Sequence, residues 1–94
     1  NVIFLTGISE LARNVTQEWL QANNLWDYDD LIMRPLNDYR QDSVVKLEML
    51  NNYIRTNLND DKEAISFILE DRATVVKSFR DAGFKVLQVA EGDF

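Results

Sequence analysis

Apolar residues cluster in four short runs along the chain, and these runs predict four β-strands. They are Val2–Leu5, Leu31–Met33, Ile65–Leu69 and Phe84–Ala90. The first three are continuously apolar or nearly so, a pattern typical of strands that are buried on both faces of a sheet.

Between the runs, apolar residues recur every three or four positions, which is the period of an amphipathic helix. Each of three segments would form one apolar stripe along a helix. The stripes comprise Leu11, Ala12, Val15, Trp19 and Ala22; then Val44, Leu47, Leu50, Ile54 and Leu58; then Val75, Val76, Phe79 and Ala82.

Residues that favour helix ends flank these segments. Helix starts are predicted at Ser9, at Asp42 or Ser43, and at Thr74, and helix ends at Asn23–Asn24 and Gly83. The element order is then β-α-β-α-β-α-β, with connections long enough for crossover helices. This order predicts an α/β fold in which helices cover a parallel sheet of four strands. Because chains of this length rarely divide, we expect residues 1–94 to form a single domain.

Composition excludes several classes of function. With 46% hydrophobic and 11% aromatic residues the chain can form an ordered core, and its net charge of −6 disfavours coating of duplex nucleic acid, although not a local site for one phosphate end. The chain has no cysteine and no histidine, which excludes zinc fingers, thiolate chemistry and imidazole triads within it. No apolar run approaches the roughly 20 residues of a membrane span, so we expect no membrane partner, and the lack of cysteine favours a cytoplasmic location.

Polar residues follow the predicted strands where each strand ends, the edge at which parallel sheets bind ligands. They are Thr6 and Gly7 after the first strand, Arg34 and Arg40 after the second, Glu70, Asp71 and Arg72 after the third, and Lys46 in the first turn of the second helix. This set suits a phosphoryl group with a divalent cation, because hydroxyl, amide and cationic donors hold phosphate oxygens and carboxylates hold Mg²⁺.

Each of these residues also has a purely structural interpretation. Thr6 and Gly7 could form a strand-to-helix turn, Lys46 could be a solvated side chain, and Glu70 with Asp71 could cap the third helix. The aromatic residues are expected in the core or at its rim. These are Trp19, Trp26, Tyr28, Tyr39 and Tyr53.

At these residues the sequence resembles a known family. The similar stretches are Leu69-Glu70-Asp71-Arg72-Ala73-Thr74-Val75-Val76, Asp81-Ala82-Gly83-Phe84, Gln88-Val89-Ala90-Glu91-Gly92-Asp93-Phe94, and Met33-Arg34 through Asp38-Tyr39-Arg40-Gln41-Asp42 to Val44-Val45-Lys46-Leu47-Glu48. They resemble the C-terminal half of the 3′-phosphatase domain of phage-type polynucleotide kinases, which belongs to the haloacid dehalogenase superfamily of Asp-based phosphohydrolases. The resemblance implies a three-layer, Rossmann-like sheet and a phage or bacterial source.

The resemblance also implies roles for the polar residues. Thr6 would hold a phosphate oxygen with help from the Gly7 amide, and Lys46 would offset the charge of the nucleophile and of the phospho-aspartyl intermediate. Asp71, with Glu70 beside it, would hold Mg²⁺. The substrate phosphate or the nucleic-acid end would be oriented by Arg40, and more weakly by Arg34 and Arg72.

Two departures from the family pattern stand out. Ile8 occupies a position at which the family usually has arginine, and the Asp-x-Asp-x-Thr motif that supplies the nucleophile is absent, since Asp29-Asp30 precedes a strand. We therefore expect an N-terminally incomplete domain that is inactive by itself. The missing central strand could lie upstream, another copy could donate it in a homodimer, or the flanking strands could pair directly; we favour the first.

Two hypotheses of function follow. The first is a Mg²⁺-dependent phosphomonoesterase, similar to polynucleotide 3′-phosphatases, whose partners would be a phosphorylated substrate such as a nucleic-acid 3′ end and an upstream domain. The alternative is a non-catalytic phosphate-binding or interaction module, dimeric through its open sheet edges, which Ile8 and the missing nucleophile favour.

Overall fold

The computed structural model describes residues 1–90, and it divides the chain into two compact units, Asn1–Arg40 and Gln41–Phe94. The last four residues of the predicted motif Gln88–Phe94 lie outside the described residues.

The first unit contains two parallel strands and one helix. Strand β1 spans Ile3–Ser9, a single 3-10 turn spans Glu10–Ala12, helix α1 spans Arg13–Ala22 and strand β2 spans Asp30–Arg34. The two strands pair in register from Ile3 opposite Asp30 to Thr6 opposite Met33, and then Ser9 lies opposite Arg34. Gly7 and Ile8 are therefore extra residues in β1 and form a bulge.

The core of the first unit is small. It consists of Leu20, Leu31 and Met33, against which Phe4 and Tyr28 pack in an edge-to-face pair with ring centroids 5.3 Å apart. The predicted apolar stripe of α1 does not join this core. Leu11, Val15 and Trp19 expose 86%, 68% and 59% of their surface, so the periodicity of the segment predicted the helix but not its burial.

The second unit contains two helices and a second pair of parallel strands. Helix α2 spans Asp42–Asn57, a 3-10 turn spans Lys62–Ala64, strand β3 spans Ile68–Glu70, helix α3 spans Ala73–Asp81 and strand β4 spans Val86–Gln88. Strands β3 and β4 pair in parallel, with Leu69 opposite Leu87.

The core of the second unit is formed mainly by the two helices. Its buried residues among those described are Val45, Met49, Leu50, Ile54, Val75, Val76, Phe79, Phe84 and Val86. Two expectations about it are wrong. The buried stripe of α2 contains Val45 rather than Val44, and β3 is not buried on both faces, because Leu69 is 61% exposed.

The two ends of α3 differ in how they are capped. Arg72, not Thr74, is the residue before the helix, just as Gln41 precedes α2, and neither side chain caps its helix. The predicted helix end at Gly83 is confirmed. Gly83 adopts φ +96°, its N–H donates to the Arg80 carbonyl, and the Phe84 N–H donates to the Phe79 carbonyl, which is the Schellman arrangement.

The fold is thus α/β, with three α-helices and parallel strands in the described part of the chain. These strands pair as two two-stranded sheets, β1 with β2 and β3 with β4. Within residues 1–90, no helix is both long enough and apolar enough to span a membrane.

Candidate functional site

Lys46 is held between two carboxylates in the second unit. It begins the second turn of α2 rather than lying in the predicted first turn, and its Nζ is 3.3 Å from Oδ2 of Asp42, one helical turn earlier. On the other side, Nζ donates to Oε2 of Glu70 at 3.1 Å, at the end of β3. The Lys46 side chain is only 13% exposed, so this ammonium is fixed in position and is not a freely solvated charge.

Glu70 in turn is fixed by the start of α3. Its Oε1 accepts the backbone N–H groups of Asp71 at 3.1 Å and of Arg72 at 3.2 Å, while Oε2 accepts Lys46. The two amides precede α3, where backbone N–H groups have no partner within the helix. The Glu70 carboxylate therefore positions Lys46 and also accepts hydrogen bonds from the backbone just before the start of α3.

Arg72 adds a second positive charge to the cluster. Its Nη1 lies 3.6 Å from Oδ2 of Asp42, the oxygen that also faces Lys46. We name the four residues Asp42, Lys46, Glu70 and Arg72 the lysine clamp. Two cations and two carboxylates balance within it, so no unpaired charge is left in a setting where Asp42 and Glu70 are 17% and 12% exposed.

Asp71 differs from its neighbour because its side chain is exposed. Its backbone makes the structural contacts, since its N–H donates to Glu70 and its carbonyl accepts Nε2 of Gln88 at 3.1 Å. Of the two carboxylates predicted to hold Mg²⁺, the geometry favours Asp71, because three donors already engage the oxygens of Glu70. Residues 1–90 contain no group of three or more His, Cys, Asp or Glu side chains that could hold a metal, so a cation at Asp71 would need ligands from elsewhere.

Thr6 and Gly7 belong to the first unit, at the bulge of β1. Oγ1 of Thr6 accepts the N–H of Ile8 at 3.2 Å, and the Gly7 carbonyl accepts Nε of Arg34 at 2.9 Å. A hydroxyl that accepts one hydrogen bond still has its proton to donate. The Thr6 hydroxyl can therefore serve a phosphate oxygen while it stabilises the bulge.

Arg34 organises the loop after β2. Besides Gly7, its guanidinium serves two more carbonyls, because Nη1 donates to the Asp38 carbonyl at 3.1 Å and to the Arg40 carbonyl at 2.7 Å. One side chain thus joins the bulge of β1 to the loop of residues 35–40. This contact set makes Arg34 a positioning residue for the loop.

Arg40 and Asp38 form a bidentate ion pair within that loop. Nε and Nη2 of Arg40 lie 2.9 and 2.7 Å from the two oxygens of Asp38, and the Arg40 N–H also donates to Oδ1. The hydrogen bonds from Arg40 lower the pKa of the Asp38 carboxyl to about 2. The Arg40 side chain remains 47% exposed, so a ligand can approach it.

An open cleft of about 540 Å³ lies against this loop. It is lined by Gly7, Ser9, Leu11 and the residues of the chain from Arg34 to Arg40. Three of the residues predicted to contact phosphate therefore line one cavity of the first unit, namely Gly7, Arg34 and Arg40.

The predicted site residues fall into two groups. Thr6, Gly7, Arg34 and Arg40 lie in the first unit, and Lys46, Glu70, Asp71 and Arg72 lie in the second. The sequence pattern predicted only a helix-cap role for Asp42 and no role for Asp38. The spacing of four residues between Asp42 and Lys46 on one helix face is the signal that could have identified the clamp.

Comparison with known proteins identifies the family. The chain belongs to the family described as the polynucleotide kinase PNKP phosphatase domain, whose model matches residues 1–94. It is therefore a member of a phosphatase family of the haloacid dehalogenase type, and the predicted resemblance is confirmed.

Relatives with similar sequences and structures have longer chains. The chain is 30% identical over 80 residues to a protein of Autographa californica nuclear polyhedrosis virus described as a bifunctional polynucleotide kinase/RNA ligase; the match covers 85% of this chain and 11% of that protein. Among solved structures, all of this chain matches 31% of a chain in a Pnkp1/Rnl/Hen1 complex with TM-score 0.81 and 33% identity. It also matches 29% of a chain in a Pnkp1/Rnl/Hen1 RNA repair complex with TM-score 0.83 and 34% identity.

Proposed function

We propose that this chain is part of a Mg²⁺-dependent phosphomonoesterase that removes the 3′-phosphate from a polynucleotide end. One observation carries the proposal. In a chain that matches a phosphatase-domain family along its whole length, Lys46, which the family resemblance assigns as the charge-offsetting lysine, is held rigidly between Asp42 and Glu70.

In the proposed reaction, each residue acts on the phosphoryl group. The Thr6 hydroxyl and the Gly7 N–H donate to phosphate oxygens, and Arg40 orients the phosphate with weaker help from Arg34 and Arg72. An aspartate upstream of residue 1 attacks phosphorus as the bond between phosphorus and the 3′ oxygen breaks, and the second aspartate of the same upstream motif protonates that oxygen, so the nucleic acid leaves with a 3′-hydroxyl. Water, deprotonated by that second aspartate, then hydrolyses the aspartyl phosphate to inorganic phosphate and regenerates the first carboxylate. The fixed ammonium of Lys46 offsets the negative charge that develops in the transition state. Because its position is set beforehand, no reorganisation energy is needed when the reaction occurs.

Asp71 is the residue that we propose for contact with Mg²⁺. When bound, the cation would neutralise part of the negative charge of the phosphoryl group. Exposure of the Asp71 carboxylate supports this role, and the engagement of both Glu70 oxygens supports a positioning role for Glu70 instead. The other cation ligands would come from the segment that carries the nucleophile.

The fold that we propose extends beyond the two strand pairs that are observed. We propose that β1 to β4 belong to one sheet of a three-layer, Rossmann-like single domain, and that an upstream central strand completes this sheet. Parallel pairing within both sheets and the similarity to the solved structures support this architecture. A cytoplasmic location remains part of the same proposal.

The names of the relatives support a nucleic-acid end as the substrate. They are described as a polynucleotide kinase/RNA ligase and as part of an RNA repair complex. We propose that this chain acts beside further domains or protein partners in end repair of that kind.

A second candidate function rests on Ile8. This residue is half-exposed in the bulge next to Thr6 and Gly7, where the family resemblance expects an arginine. Without that charge the domain could bind phosphate, or form a dimer, without catalysis.

The test measures phosphate release from an oligonucleotide 3′-phosphate by the intact protein that contains this chain. Lys46→Met and Asp71→Asn should each lower the rate by about 100-fold or more, because each removes a charge that faces the reacting group. Lys77→Met is the matched control, since Lys77 is exposed and pairs only with Asp81 on the same helix face in the described structure. Chelation of Mg²⁺ should abolish the wild-type rate.

Folding must be checked in the same samples, because Lys46→Met removes one positive charge from the poorly exposed carboxylates of Asp42 and Glu70. Far-UV circular dichroism and the thermal midpoint identify a variant that has unfolded, and Asp71→Asn at an exposed position provides the variant that keeps its fold. Equal rates for folded wild type, Lys46→Met and Asp71→Asn would reject the phosphatase proposal. Phosphate binding without release by the wild type would favour the second candidate.

A further inference from the structure

Tyr39 lies at the protein surface, where its hydroxyl donates to Oδ1 of Asn37 at 3.5 Å. Its surface is 89% exposed, although aromatic residues were expected in the core or at its rim. A large exposed ring gains little from burial, which is what normally keeps tyrosine in a folded chain. It lies in the loop of residues 35–40, away from the core formed by Leu20, Leu31 and Met33.

The backbone on both sides of this ring is fixed. Nη1 of Arg34 donates to the carbonyls of Asp38 and Arg40, the residues immediately before and after Tyr39. The Arg40 N–H donates to Oδ1 of Asp38, and the Asp38 N–H donates to the Pro35 carbonyl. The loop therefore presents an exposed aromatic ring on an ordered backbone, so a ligand that binds to it pays little ordering entropy.

Tyr39 also lines the same cleft as Gly7 and Arg40. At about 540 Å³ the cleft lies within the usual range of about 300–1,000 Å³ for sites that bind small molecules. Leu11 and Leu36, which are 86% and 58% exposed, contribute further apolar side chains to its lining. A terminal nucleotide has the matching chemistry, with a phosphate for the cationic and amide donors and a flat base for the ring.

The net charge of the chain makes an uncharged contact with the substrate useful. At −6, the chain repels a phosphate backbone at long range. Stacking of a base on an aromatic ring is insensitive to that charge, and it tolerates any base because every base has a π-face.

We propose that Tyr39 stacks on the base of the terminal nucleotide that carries the 3′-phosphate, and so makes the site selective for nucleotide ends over other phosphate esters. This inference rests on the proposed function for the position of the phosphate. Tyr39 acts in substrate binding and not in the chemical step.

The test uses two oligonucleotide 3′-phosphates that are identical except that one has an abasic terminal residue. For the wild-type intact protein, KM for the base-bearing substrate should be about 10-fold lower than for the abasic one, with similar kcat. Tyr39→Ala should remove this difference by raising KM for the base-bearing substrate alone, and Tyr39→Phe should retain it. Trp26→Ala is the matched control, because Trp26 is 66% exposed in the same unit and does not line the cleft.

Equilibrium affinity measured in chelator, where no turnover is expected, separates this inference from the proposed function. If the wild type binds the base-bearing oligonucleotide more tightly and Tyr39→Ala does not, stacking is supported even when no phosphate is released with Mg²⁺, an outcome that would reject only the phosphatase activity. If wild type and Tyr39→Ala discriminate equally between the two oligonucleotides, or neither discriminates, the stacking inference is wrong.

Discussion

The position of the Lys46 ammonium depends on residues from three different local structures. Asp42 reaches it along α2, Glu70 reaches it from the end of β3, and Arg72 balances Asp42 from the start of α3. An isolated exposed ion pair contributes little, but a network of poorly exposed charges loses stability when one member is removed. The same contacts that stabilise the second unit therefore hold a lysine at the position where the proposed reaction needs it.

The residue Asp38 gives a prediction for pH dependence. Its carboxyl pKa is lowered to about 2 by the hydrogen bonds from Arg40, so the stabilisation of the loop should be fully present above the unfolded-state pKa of about 4 and lost as pH falls through about 2. Carboxyl ¹³C chemical shifts at pH 3 should show Asp38 ionised in the wild type. In Arg40→Gln, its pKa should rise toward the ordinary value, and the residue should be largely protonated.

Glu10 provides the internal control for this titration. Its pKa is also lowered, mainly by the hydrogen bonds from Arg13, and the same unit contains both pairs. Arg40→Gln should leave the Glu10 titration unchanged. An Asp38 curve that is the same in both proteins would show that the Arg40 guanidinium does not pair with the Asp38 carboxylate.

Single-residue roles were only partly predictable from the sequence. The positions of Thr6 and Asp71 at strand ends were predictable, because strand ends can be recognised from apolar runs, whereas the phosphate site that they and Lys46 would form stays a prediction. The partners of each side chain could not be predicted. Contacts such as Lys46 with Glu70 join residues 24 positions apart, and sequence spacing within one element does not contain that information.

At the scale of elements, the buried face of α2 differs between the sequence prediction and the structure. The apolar periodicity placed Val44 on the buried stripe, whereas in the structure Val45 is fully buried and Val44 is 47% exposed. Both residues are apolar and adjacent, so a rotation of the helix by one residue, about 100°, exchanges which of them faces the core. Tertiary packing of the folded chain decides between them, and the sequence of α2 alone does not contain that choice.

This difference can be measured with two substitutions at adjacent positions. Val45→Ala should lower the free energy of unfolding by about 2 kcal/mol, because it removes two buried methyl groups and leaves a cavity. Val44→Ala should change it by less than about 0.5 kcal/mol, as expected for a partly exposed site. Urea denaturation followed by circular dichroism checks both, and the reverse order would mean that α2 is rotated toward the sequence-predicted stripe.

The sequence also did not predict which faces of the strands are buried. The apolar runs predicted strands that pair in parallel, as β1 does with β2 and β3 with β4. Phe67, Leu69 and Leu87 are nevertheless more than half exposed, so an apolar run did not imply burial on both faces. Alternation explains this, since Ile68 and Glu70 point to the other face of β3 from Leu69. Burial depends on what covers each face, which the run itself does not specify.

At the scale of the whole molecule, the chain contains two cores of unequal size. Among the described residues, the first unit has Leu20, Leu31 and Met33 as its buried core, and the second unit buries nine apolar side chains, including Ile54 at 1% exposure. Since burial of apolar surface is the main favourable term in folding, the second unit should be the more stable of the two.

Amide hydrogen exchange tests whether these cores unfold separately. After correction for intrinsic rates, amides of α2 near Ile54 and of α3 near Val75 should exchange at least about 10-fold more slowly than those of β1 and β2, because local opening follows the stability of each unit. Val45→Ala should then reduce protection in α2 and α3 and leave β1 and β2 unchanged, with Val44→Ala as its control. If Val45→Ala reduced protection equally in both units, they would unfold as one cooperative structure, in agreement with the single domain that the length of the chain predicts.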